Sequence, residues 1–171
     1  ITPGQHNTVR VKAPQGTLSM NLPQATAYGK EIQVLVKDNN TGRIINTQPI
    51  NSSHSYLVGK YDIEILTLPR IIISNVSIQE NKEFSTTLAN PGILNTRMIA
   101  PGYGSIYSID ANGSEQWIYK MSDTQSNERV VLQPGAYKIV FRAKNAEGSK
   151  FTSIKKFEIK SGSSINLTLF N

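Results

Sequence analysis

The chain has 171 residues, 38% of them apolar and 18% charged, which suits a soluble protein with one ordinary core or two small ones and argues against disorder. It has no cysteine, which excludes disulfides, thiolate metal sites and a cysteine nucleophile, and no apolar run near the ~20 residues a membrane helix needs, so no membrane insertion is expected. The net charge of +6 is spread thinly, with eight basic and six acidic residues in 1–88 and ten and six in 89–171, and the densest cluster (Lys150, Lys155, Lys156, Lys160) has no recognition helix or aromatic RNP-like motif beside it, so nucleic acid is not an expected partner.

In chain order, apolar and polar residues alternate with the period of two that a half-buried strand requires. This predicts strands over 16–22, 31–37, 43–47, 55–58, 60–66, 71–79 and 83–88. Turns are predicted at Asp38-Asn39-Asn40-Thr41-Gly42 and Glu80-Asn81-Lys82, where Asn and Gly tolerate positive φ. A Pro-Gly junction at Ala89-Asn90-Pro91-Gly92 follows, since proline cannot donate to a ladder. The same order then recurs, with turns at Asp110-Ala111-Asn112-Gly113 and Lys160-Ser161-Gly162-Ser163. No segment keeps a helical period.

The recurrence extends to individual residues. LVGKYDIEIL (57–66) and LQPGAYKIVF (132–141) overlay with Gly59 on Gly135, Tyr61 on Tyr137, Ile63 on Ile139 and Ile65 on Phe141. VSIQENKEFSTTL then overlays FEIKSGSSINLTL, and upstream EIQVLVKDNNTG overlays GSIYSIDANGSE, with Gly16 on Gly92. The expected fold is all-β: two tandem small antiparallel β-sandwiches, 1–89 and 90–171, held close by a short linker. The chain opens Ile-Thr-Pro-Gly without methionine or signal peptide and reads as a piece of a longer protein.

Candidates for chemistry are few. Asp62 and Glu64, two apart on a strand, share a face and could act as an acid and base pair on sugars, but alternation with Tyr61, Ile63 and Ile65 marks them as solvent-facing. The turn at Asp38 has oxygen ligands before a glycine, yet position twelve of a calcium loop falls on Pro49. His6 and His54 are the only histidines, too few for a zinc site, and His54 is expected exposed in a serine-flanked turn. No GxSxG, Walker or HExxH motif occurs, so no catalytic, cofactor or metal residue is assigned and no enzyme is expected. Trp117, Tyr119 and Met121 fall on one face of a strand. Such a row can stack on sugar rings or dock a protein, although Lys120 opposite makes it the more apolar side and favours core packing. Trp117 and Tyr119 are therefore the contact candidates. Five Asn-x-Ser/Thr sequons, at Asn39, Asn51, Asn75, Asn112 and Asn166, are what a chain rich in these residues produces by chance.

The repeated Gly-x-Tyr entry, alternating strand and terminal Thr-Leu strand resemble small prealbumin-like β-sandwiches, and LQPGAYKIVF resembles PEGA-type envelope modules. YLVGKYDIEILTLPRI and LQPGAYKIVFRAKNA resemble the C-terminal repeats of bacterial von Willebrand factor A domain proteins of the Ca-activated chloride channel homologue type. The resemblance implies a noncatalytic region of an exported or envelope-anchored protein, periplasmic or extracellular, whose business is adhesion or assembly. The Asp-x-Ser-x-Ser metal motif of that family is absent, so no functional residue carries over. Three functions are weighed: spacing or presenting an upstream domain with an envelope protein as partner; binding polysaccharide through Trp117 and Tyr119; and, least supported, hydrolysis.

Overall fold

A computed structural model describes residues 12–29, 31–144 and 152–169. His6 and Lys150 lie outside them. The described chain is strands and turns without a helix: β1 Gln15–Asn21, β2 Gln33–Asp38, β3 Ile44–Pro49, β4 Ser53–Leu57, β5 Gly59–Ile65, β6 Ile71–Ile78, β7 Glu83–Thr87, β8 Gly92–Met98, β9 Gly102–Ile109, β10 Glu115–Lys120, β11 Asn127–Leu132, β12 Gly135–Ala143, β13 Thr152–Ile159 and β14 Ser164–Leu169. The seven strands expected in the first half each fall within two residues of the observed ones, because alternation and turn chemistry agree there.

The strands form four sheets, ordered β4-β1-β7, β3-β2-β5-β6, β11-β8-β14 and β10-β9-β12-β13. No ladder joins β1–β7 to β8–β14 among the described residues, and the two sets have the same order. Each set makes a sandwich of a three-stranded and a four-stranded sheet. The inward residues Leu18, Met20, Val34, Val36, Ile63 and Ile65 fill the first core, and Leu94, Ile106, Leu132, Tyr137, Ile139 and Phe141 the second. Pairing is antiparallel except where the first and last strands of each set meet: β1 runs parallel to β7 and β8 to β14. Alternation is blind to strand direction, so this pairing is not visible in the sequence.

Local devices recur in both sandwiches. The hydroxyl of Tyr61 donates to the Leu57 carbonyl at 2.7 Å and that of Tyr137 to the Gln133 carbonyl at 2.6 Å. Gly16 and Gly92 each lie under the turn between the last two strands of their sandwich, where the chain crosses from the four-stranded to the three-stranded sheet. A Cβ on Gly92 would come within 2.9 Å of the Lys160 carbonyl oxygen, and one on Gly16 within 2.7 Å of the Lys82 carbonyl oxygen. Only hydrogen fits at these positions. The upstream overlay needs correction. Val36 pairs with Ile63 and Ile106 pairs with Ile139, so Val36 corresponds to Ile106 and not, as the overlay has it, to Ile109. The β9–β10 hairpin is longer than β2–β3, and matching turn residues pulled the overlay out of step.

The two sandwiches touch through the corner between β5 and β6. The Leu68 side chain packs against the second core, and its carbonyl accepts the Gln133 amide at 2.8 Å. The Thr67 hydroxyl donates to the Pro69 carbonyl at 2.7 Å, across a cis Leu68–Pro69 bond, and so ties the corner to itself.

Candidate functional site

The sequence candidates separate in space. His54 is exposed, as expected, but stands on strand β4 rather than in a turn, and its sheet is not the one that carries Asp62 and Glu64. Asp62 accepts from the Asn39 side-chain amide and the Asn75 backbone amide, each at 2.9 Å. Glu64 is buried rather than solvent-facing: Lys37 and Arg70 close over its two oxygens as ion pairs. Those two cations hold its carboxyl below the ordinary carboxylate range. Both carboxylates are thus committed to structure. Among the described residues no three His, Cys, Asp or Glu side chains cluster as metal ligands. The Asp38 carboxylate accepts from the Asn40 and Thr41 amides and the Thr41 hydroxyl, which lowers its pKa and leaves it closing a turn.

The expected row of Trp117, Tyr119 and Met121 is broken by a β-bulge. Trp117 pairs with Tyr107, but Tyr119 pairs with the next residue back, Ile106, so one extra residue of β10 is accommodated between them. The bulge keeps Ile118 and Tyr119 on the core side and sends Trp117 to the opposite face, where it is 55% exposed. Met121 is buried. The Tyr119 hydroxyl donates to Glu128 at 2.5 Å, and burial beside that carboxylate pushes its pKa to about 12. Tyr119 is therefore held by the second core and Glu128, whereas Trp117 stands free to meet a ligand. Strict alternation conceals this, because a bulge is a local exception to period two.

Trp117 borders a groove of about 530 Å³ that opens where the sandwiches meet. Leu66, Leu68, Pro69, Arg70 and Ile72 form the wall from the first sandwich, and Gln116, Trp117 and Ile118 the wall from the second. Ile72, 69% exposed, leaves an apolar wall facing solvent. Arg70 contributes a charge already held by Glu64. An aromatic ring beside apolar and hydrogen-bonding side chains can hold a sugar face or an aliphatic side chain, and offers no nucleophile. Among the described residues no helix is long and apolar enough to cross a membrane.

No protein-family model and no curated protein matches this chain. Solved structures that align with it include the Bacillus anthracis TIE protein (15% identity, 92% of this chain and 34% of that one, TM-score 0.38). The minor pilin of Streptococcus agalactiae aligns at 10% identity over 91% of this chain and 94% of that one, TM-score 0.37. A streptococcal ancillary pilin aligns at 8% identity over 92% and 62%, TM-score 0.38. This chain spans about a third of the Bacillus protein's length. Likeness at this level carries no argument, and the fold rests on the strand pairing above.

Proposed function

We propose that this chain is a noncatalytic structural and interaction region of a larger bacterial envelope protein. In this reading residues 1–89 and 90–171 are two copies of one sandwich that space or present an upstream domain, of von Willebrand A type, and meet an envelope protein partner. The observation that supports it most directly is Leu68, a side chain of the first sandwich seated against the core of the second. A corner so placed resists bending at the junction, which is what a spacer requires. Small-angle scattering of the 171-residue chain tests this. One narrow shape is expected for the native chain and a broadened ensemble for Leu68→Asp; a broad ensemble in the native chain would remove the spacer reading.

A second reading, polysaccharide binding, is favoured by one observation: the bulge turns the chain's single tryptophan outward beside a groove. Hydrolysis has no such support, since His54 and the Asp62 and Glu64 carboxylates occupy different sheets and both carboxylates are hydrogen-bonded within the fold.

A further inference from the structure

We propose that the outer face of the β10-β9-β12-β13 sheet binds an acidic polysaccharide, with Trp117 stacking on a sugar ring and Lys120 and Lys156 pairing with its acid groups. This rests on the polysaccharide reading and extends it from the groove to the adjoining sheet. The ladders place Trp117, Tyr107, Lys138 and Lys156 side by side in one row across all four strands. At the usual strand spacing the row is about 14 Å long. Tyr103, 53% exposed, adds a third aromatic to the same face.

The fold does not require these residues. In the first sandwich the corresponding row holds Ile44, Lys37 and Asp62, with Asp62 occupied by the Asn75 amide. A packing demand of the architecture would appear in both sandwiches. An aromatic and cationic set confined to one of them points to a ligand.

The charge pattern selects the class of ligand. Lys138 is consumed within the face: it pairs with Glu115, and its ammonium lies 4.9 Å above the Tyr107 ring centre. Lys120 and Lys156 are exposed and make no side-chain hydrogen bond or ion pair among the described residues. Two free cations separated by aromatic surface suit a polymer with sparse acid groups and flat apolar sugar faces. Glu115 and Glu158 on the same face would accept from sugar hydroxyls but repel a run of phosphates, so single-stranded nucleic acid fits less well.

Affinity electrophoresis of the whole chain through gels containing polygalacturonate, alginate or chondroitin sulfate tests the inference, with dextran as a neutral polymer and oligo-dT in a parallel mobility assay. Retardation by at least one acidic polymer and not by dextran is expected. Trp117→Ala should weaken it tenfold or more, and Lys120→Gln with Lys156→Gln should abolish its sensitivity to salt. All three positions are exposed, and circular dichroism of each variant matching the native chain excludes misfolding. Retardation by dextran as strong as by the acidic polymers would overturn the acidic assignment and leave the polysaccharide reading standing. No retardation by any polymer, retardation unchanged in both variants, or preferential capture of oligo-dT would overturn the inference and that reading together.

Discussion

The Tyr137 hydroxyl donates to the Gln133 carbonyl 2.6 Å away, inside the second core. Tyr137→Phe leaves that carbonyl buried without a partner, so a loss of about 1–3 kcal/mol is expected in urea unfolding. Burial pushes the Tyr137 pKa well above its ordinary value. A group with a raised folded pKa contributes stability that is present below its unfolded value, about 10, and lost as pH rises beyond it. The native chain should weaken above pH 10 more steeply than Tyr137→Phe. Equal slopes would show that Tyr137 does not control the alkaline limb.

Gly92→Ala drives a methyl group into the β13–β14 turn, whose Lys160 and Ser163 carbonyl oxygens cannot yield without shifting the crossing between the two sheets. A cost of about 1–3 kcal/mol is expected, from overpacking, with the same sign at Gly16→Ala. Calorimetry of the two variants checks this, and an unchanged midpoint in either would mean that the turn relaxes freely.

Glu64 affects the acid side. Its folded pKa is depressed by Lys37 and Arg70, so its contribution is present above the ordinary carboxylate range and disappears as pH falls through the lowered value. Glu64→Gln should therefore be less stable than the native chain at pH 7, by about 1.5–3 kcal/mol, and the gap should close toward acid. Arg70→Ala, at the exposed end of the triad, should cost less than about 1 kcal/mol. A gap that persists at the lowest pH would assign the effect to packing.

Trp117 is the only tryptophan and lies in the second sandwich, so its fluorescence reports that half alone. Leu68→Ala removes the side-chain contact between halves, keeping the backbone bond to Gln133, and should cost about 1–2 kcal/mol, less than a fully buried leucine because Leu68 is only partly buried. Fluorescence and far-ultraviolet transitions that coincide in the native chain should separate in the variant. Coincidence in both would mean that Leu68 does not couple the halves.

Most of the architecture was legible because the strands obey period two and the turns carry Asp, Asn and Gly where positive φ or a side-chain acceptor is needed. Besides the parallel pairing, other features were not. The burial of Glu64 depends on Lys37 and Arg70 arriving from β2 and from the corner before β6. The outward turn of Trp117 depends on an extra residue whose presence only the ladder to β9 reveals. The row from Trp117 to Lys156 joins residues up to 39 positions apart that no local pattern relates.

The parallel pairing of β1 with β7, and of β8 with β14, has a mechanical consequence. In each sandwich the chain enters at one end of this pair and leaves at the other. Tension applied along the polypeptide therefore slides the two strands past each other, loading the ladder from Thr17–Glu83 to Asn21–Thr87 all at once instead of opening it one bond at a time. The second sandwich repeats this from Ser164–Ile93 to Leu169–Met98. Two such clamps in series would hold their length under a pull that would unzip a hairpin.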